Sequence, residues 1–531
     1  MASGKSTTND DQREMYMKNI GLAQFKDEMR RLKEEALNDL SDKLDHLISK
    51  SDFSRGTDVL LKSYVESGSS SQKKKRKHRR TPSGNLPEKE FVLQNSVITD
   101  LFMSRHFQTI ENIVIAGLIL WAISTALSDY SATKSLSAVF PSLDLVRNAF
   151  DNYAEALIIW IRMMITAFIC YPIVLFWASN RPQTAKPNSF DRIFLIGYVF
   201  YQGFLLWIPY RNLFVEANLG PAAAIAVTLE QIRLMMKTHA FTREIARRIF
   251  KQSLHFKNDD DSDSSSSLDF PSENAFPGFS KYLYFVFAPT LVYRDQYPKT
   301  DRIRWGYVLS NFAQVYGCII FMYYVMVRYL QPEFTLYSPN SVSIETLLTA
   351  SFRCILPGSV ILVMAFFGFL HSWLNAWAEM LRFGDRLFYK DWWNVASYAD
   401  YYRTWNCVVH DWLYTYIYKD VIELVPGQKR GIASLSVFLT SAIFHEYVIV
   451  AMLKFFFPVM LVQFGGLGFF FSFIKANGRL ANVIVWTSII FGMGLMISMY
   501  SFEISARRVC PPAFEHYLLD AIIPRFWACM K

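Results

Sequence analysis

The sequence predicts an all-α, multi-pass membrane protein with about nine transmembrane helices and a cytosolic amphipathic helix at its N-terminus. Three observations carry this. The 531-residue chain is 52% hydrophobic and 16% aromatic but only 19% charged, where a soluble protein would hold roughly a quarter charged residues. Nine apolar stretches approach the twenty or so residues that a helix needs to cross the hydrocarbon. The first hundred residues are instead polar, which predicts no signal peptide, and carry one stripe of apolar residues at helical spacing.

In chain order, that stripe comes first. Leu22, Phe25, Met29, Leu32, Ala36, Leu40, Leu44 and Leu47 fall three and four residues apart within 12–50, with Lys, Arg, Glu and Asp between them. The pattern predicts an amphipathic helix over 1–50. Packing against copies of itself would make the protein a homo-oligomer; lying on the membrane surface would bury the same stripe. Residues 51–100 read as a polar, basic linker. Its "KKKRKHRR" at 73–80 suits anionic membrane lipid, at about 1 kcal/mol per basic side chain.

The expected spans are 110–127, 157–177, 193–215, 219–236, 305–329, 344–373, 431–453, 455–474 and 483–502. The fourth is the least apolar, because it holds Glu230 and Arg233. Basic residues before the first span, and Arg181, Lys186 and Arg192 after the second, place both segments in the cytosol. Alternation then puts 237–304 and 378–430 in the cytosol, and nine crossings put the 510–531 tail on the other side. "NDDDSDSSSS" at 258–267 is a hydrophilic insert of the cytosolic loop. The net charge of +9 follows from this topology and calls for no nucleic-acid partner. Six scattered cysteines form no CxxC pair, and no His/Cys cluster has zinc spacing, so no metal is expected.

Candidate chemistry lies in 384–447. "FGDRLFYKDWWN" at 383–394 has the look of an aromatic belt at the membrane interface. In "YYRTWNCVVHDWLYTYIYKD" (401–420) a continuous helix would set Arg403, Asn406 and His410 on one face. That stripe suits a ligand bearing phosphate and amide groups, and equally a wet helix face. "SVFLTSAIFHEY" (436–447) carries His445 in a span. Ser441 precedes it by one turn on the same face, while Glu446 points about 100° away. Among Phe438, Ile443 and Phe444 the imidazole is expected to stay neutral. It could serve as a general base, a packing histidine, or the proton relay of a transporter.

The motifs "FYKDWWN", "YYRTWNCVVHDWLY" and "SAIFHEY", in this order and spacing, resemble the sterol O-acyltransferases (acyl-CoA:cholesterol acyltransferases) of the membrane-bound O-acyltransferase superfamily. The resemblance runs from about residue 100 to the end. The diacylglycerol O-acyltransferases share "FYxDWWN" and an "HxW" element, but "HDWLY" and "HEY" point to the sterol branch. The likeness implies the membrane-bound O-acyltransferase fold over 101–509, an endoplasmic reticulum location, a cytosolic N-terminus and a lumenal C-terminus. It implies transfer of a long-chain acyl group from acyl-CoA, a co-substrate, to a sterol, with no cofactor. Diacylglycerol or a long-chain alcohol is the alternative acceptor; a proton-coupled transporter or a sterol-binding scaffold is the non-enzymatic alternative. By the same likeness His445 is the catalytic histidine and Asn406 its partner, while Arg403, His410, Tyr418, Arg430 and Ser441 surround acyl-CoA. Arg430 and Asp400 stand where lysine and asparagine are expected, and Asn112 stands where a histidine lies near the sterol. In the oxidising lumen, Cys510 and Cys529 are expected to form a disulfide.

Overall fold

The computed structural model describes residues 86–135, 144–182, 184, 186–216, 218–259, 276–336, 343–425, 427, 430–475, 477–512 and 514–528. The amphipathic helix expected over 1–50, residues 51–85 of the basic linker, most of the acidic–serine insert and Cys529 lie outside these residues. From Glu88 onward the chain is one compact unit. Among the described residues it is helical throughout, and β pairing is confined to two isolated bridges, Gln94 with Asp385 and Lys299 with Phe383.

The principal helices are α1 (Arg105–Thr133), α2 (Tyr153–Asn180), α3 (Ser189–Trp207), α4 (Pro221–Asp259), α5 (Phe279–Phe287), α6 (Trp305–Val325), α7 (Ile344–Ala365), α8 (Tyr398–Thr404), α9 (Cys407–Leu413), α10 (Arg430–Leu453) and α11 (Arg479–Val509). Six helical stretches among the described residues are long and apolar enough to cross a membrane: Arg105–Thr133, Arg147–Asn180, Trp305–Glu333, Ile344–Met380, Arg430–Leu453 and Arg479–Val509. Three further expected spans take other forms. The 193–215 stretch holds α3 and then a π turn at Arg211–Val215; 219–236 is the first half of the 39-residue α4; 455–474 contains the shorter apolar Leu461–Phe471.

Local chemistry sets several of the helix ends. Asn188 and Asp191 form a reciprocal capping box at the start of α3, with bonds of 2.8 and 3.0 Å, which satisfies two otherwise orphaned N–H groups. Ser343 caps α7 and Ser397 caps α8 in the simpler way. The core lies where α2, α4 and α5 meet, around Ile159, Met163, Ala167, Leu234, Phe241, Tyr282 and Phe285, all fully buried. Tyr282 donates to the Ala167 carbonyl at 2.6 Å, so its hydroxyl is satisfied there. Helix α1, in contrast, buries no residue. It meets α6 and the segment after it through Trp121, packed edge-on or tilted against Phe321, Tyr324 and Tyr329, and through the Asp129–Arg328 ion pair.

Candidate active site

His445 sits two-thirds of the way along α10, and its Nδ1 lies 2.7 Å from the Ser441 carbonyl oxygen. A carbonyl can only accept, so Nδ1 carries the proton and Nε2 keeps its lone pair. His445 is exposed by its accessible surface. Phe464 covers one side, at 5.1 Å between centroids. Ser441 thus serves His445 through its backbone, one helical turn away as the spacing predicts.

Phe464 belongs to a π-helical segment, Leu461–Gly468, that runs against α10. Glu446 holds that segment: its buried carboxylate accepts from the Leu461 N–H at 3.0 Å. Tyr402 and Phe438 complete the aromatic wall, each within 6.0 Å of Phe464. The next residue, Tyr447, donates to Gln231 of α4 at 2.7 Å. Glu446 therefore does not partner the imidazole, as its angular offset predicts, but anchors the segment that packs on it.

The continuous helix over 401–420 that would align these residues is not what forms. Helix α8 ends at Thr404, Asn406 adopts extended backbone (φ −139°), and α9 begins at Cys407. Asn406 is the N-cap of α9, its Oδ1 accepting from the Val409 N–H at 3.1 Å. An asparagine in this position competes with helix continuation by satisfying the new helix's orphan donor. Arg403 and His410 consequently lie on different helices rather than on one stripe. Arg403 is exposed and 3.5 Å from Asp400, whose other oxygen accepts from Ser397. The His410 ring is parallel to Tyr414, and Tyr414 to Tyr418, with centroids 6.4 and 5.6 Å apart. That ladder is one face of α9 and the π turn after it; Trp412 and Tyr416 form the opposite, buried face, where Trp412 donates to the Met236 carbonyl.

Arg430 opens α10 and is exposed. It lies fifteen residues before His445, about 22 Å along the axis. Asn112 is exposed on α1. Cys407 is buried and free, and burial pushes its thiol up to about 11. Sequence reasoning missed Glu446 as an anchor, Phe464 as the imidazole's neighbour, and a lysine, Lys89, that grips α9. The first two required knowing that the π segment folds back on α10; Lys89 lies some three hundred residues away in sequence.

Fold and site together define an integral membrane protein of packed helices with an imidazole, free at Nε2, inside one crossing helix. The membrane-bound O-acyltransferase family model matches residues 199–502. Sterol O-acyltransferase 1 of Mus musculus is 40% identical over 466 residues, 86% of this chain and 82% of that protein. Sterol O-acyltransferase 2 of Homo sapiens is 38% identical over 447 residues, 83% of this chain and 80% of that protein. The chain belongs to the membrane-bound O-acyltransferase family, among its sterol O-acyltransferases.

Proposed function

We propose that this protein transfers a long-chain fatty acyl group from acyl-CoA to the 3β-hydroxyl of a sterol, giving a sterol ester and free CoA. The observation that carries the mechanism is the 2.7 Å contact between His445 Nδ1 and the Ser441 carbonyl, which leaves Nε2 as a base. Nε2 takes the hydroxyl proton as the sterol oxygen attacks the thioester carbonyl. The tetrahedral intermediate collapses, the carbon–sulfur bond breaks, and the imidazolium returns its proton to the departing thiolate. A thioester is already activated, so no acyl-enzyme is needed. The uncharged ester leaves into the bilayer.

Asn406 is the oxyanion donor. This reading is supported by His445 Nδ1–H being given to Ser441 O, which leaves that nitrogen no proton for Asn406 Oδ1 to accept. The Asn406 amide Nδ2 remains to donate to developing negative charge. Arg403, His410, Tyr418 and Arg430 take the acyl-CoA from the cytosolic side, and Asn112 faces the sterol as it arrives from the bilayer.

The same reading places the protein in the endoplasmic reticulum membrane as a homo-oligomer assembled through the helix of 12–50. Nine crossings put the N-terminus in the cytosol and the C-terminus in the lumen; α3, the first half of α4 and the Leu461–Phe471 segment complete the six longer helices. A Cys510–Cys529 disulfide closes the tail. It is supported by the four other cysteines being free and by Arg525 donating to the Cys510 carbonyl at 3.2 Å, four residues before Cys529.

The test supplies purified protein with labelled oleoyl-CoA and cholesterol, and in parallel with diacylglycerol or a long-chain alcohol. Labelled cholesteryl ester is the expected product. Labelled triacylglycerol or wax ester in its place would reassign the acceptor. No ester at all, with proton-driven flux in liposomes, would make the protein a transporter.

A further inference from the structure

The residues before α1 are built against α9 and the loop around Asp385. The Lys89 ammonium lies 3.1 Å from the Asp411 carboxylate on α9 and 3.4 Å from Asp385 in the loop that follows α7 and its continuation. The lysine is largely buried and Asp385 almost completely so. Around this bridge Gln94 donates to Asp385 at 2.7 Å, and its backbone pairs with Gly384 on one side and Arg386 on the other. Phe91 packs edge-on to Tyr297 and Phe383. Glu88 pairs with Arg294. Burial, the largest single influence, pulls Lys89 down, but Asp411 and Asp385 together hold it above its ordinary value. Burial pushes the Asp411 carboxyl up, but His410 and Lys89 hold it below its own. Lys89 and Asp411 are therefore both charged at physiological pH.

Its place explains what it does. Asp411 is next to His410, one turn into the helix that Asn406 caps. The 383–394 loop already meets this helix start through Phe388 O, which accepts from Cys407 N–H, and through Lys390 N–H, which donates to Thr404. Without its lysine, the bridge would leave two carboxylates facing one another with little solvent, an arrangement relieved by moving α9 away from the loop.

We propose that Lys89 is a positioning residue for acyl-CoA binding: by bridging Asp385 and Asp411 it seats the 410–411 turn of α9, and so His410, against the 383–394 loop, while the Phe388–Cys407 and Lys390–Thr404 backbone bonds hold Asn406. This rests on the proposed acyl-CoA site. The segment 88–96 then acts as a strap by which the chain before the first span supports the substrate site.

Steady-state kinetics of the purified full-length protein test it. Lys89→Met should raise KM for oleoyl-CoA about tenfold, the scale of a lost charged hydrogen bond, with KM for cholesterol unchanged and kcat within about threefold. Lys89→Arg should restore KM to near wild type. Asp411→Asn breaks the same bridge from the other side, should give a similar rise, and serves if Lys89→Met does not fold. The double variant should rise no further than the larger single effect, the mark of coupled residues. Additive effects, or a wild-type KM in both single variants, would overturn the proposal. His410→Ala separates it from the reading beneath. If His410→Ala raises KM and the bridge variants do not, only the strap is wrong; if His410→Ala leaves KM unchanged, the acyl-CoA site itself is misplaced.

Discussion

Aspartate caps a helix as well as asparagine does but has no amide hydrogen, so Asn406→Asp separates two roles that Asn406→Ala removes together. With the donor lost and the cap kept, kcat at saturating acyl-CoA should fall by about 10²–10³ while thermal stability stays near wild type. The alanine variant should lose the same turnover and also about 1 kcal/mol of stability. A near-normal kcat in Asn406→Asp would remove Asn406 from the oxyanion role. His445→Ala should abolish ester formation without changing expression, and Glu446→Gln should be milder, because its remaining carbonyl can still accept from Leu461. Asp400 offers a change in the other direction. Its carboxylate lies 3.5 Å from the Arg403 guanidinium, both of them exposed, so it competes with any phosphate for that cation. Asp400→Asn keeps an acceptor for the Ser397 hydroxyl and frees Arg403. KM for acyl-CoA should fall, by at most about fivefold, since exposed ion pairs are worth 0–1 kcal/mol. A raised KM in that variant would show that Arg403 does not meet the phosphates.

Among helices, α7 and α11 approach most closely where both carry small residues. Ser351 and Ser498 hydroxyls meet at 2.9 Å, and a methyl group added at Gly494 would stand 2.3 Å from the Ser351 carbonyl oxygen. Inside a membrane, close backbone contact and interhelical hydrogen bonds replace the hydrophobic drive, so small residues determine the interface. Gly494→Ala must therefore push the helices apart and should cost about 1–3 kcal/mol, read as a lower thermal midpoint in detergent. Gly492→Ala, whose nearest atom would be 3.9 Å away, is the control and should be neutral. If both behave alike, the close contact is not what holds this pair. The elements differ in how far the sequence revealed them, and for physical reasons. Long apolar runs reveal α1, α2, α6, α7, α10 and α11 because hydrocarbon leaves the backbone no alternative to a helix. The i−4 relation of Ser441 to His445 is equally legible, being a property of any helix. The break at Asn406 was not legible: helical spacing ran through it, and only a local bond to Val409 N–H ends the periodicity. The anchoring of the Leu461–Gly468 segment by Glu446, and of α9 by Lys89, arises from contacts distant in sequence that leave no periodic trace.

Across the whole molecule, every group proposed for catalysis lies beyond residue 400, whereas the apolar stripe proposed for assembly lies between 22 and 47. The two functions should separate. Deleting residues 1–50 should lower the mass measured by light scattering in detergent while part of the turnover survives; an unchanged mass would return the stripe to the membrane surface. The far end of the chain tests the topology. After α11 the tail folds back: Glu503 accepts from the backbone N–H groups of Arg525 and Phe526 at 3.0 and 3.1 Å, and Arg525 pairs with Asp520. Arg507 in turn pairs with Glu503 at 2.6 Å. These pairings bring the segment leading to Cys529 beside Cys510. If nine crossings leave this tail in the lumen, the two thiols meet in an oxidising compartment where a disulfide persists. Closing a loop of about twenty residues contributes roughly 3 kcal/mol by restricting the unfolded chain, so reduction should lower the thermal midpoint. Peptide mapping of the protein from native membranes, without reductant, should recover Cys510 linked to Cys529, with Cys170, Cys318, Cys354 and Cys407 as thiols. Two free thiols in the tail, together with an even number of crossings by glycosylation scanning, would place the C-terminus in the cytosol and reverse the orientation of every segment after the miscounted span.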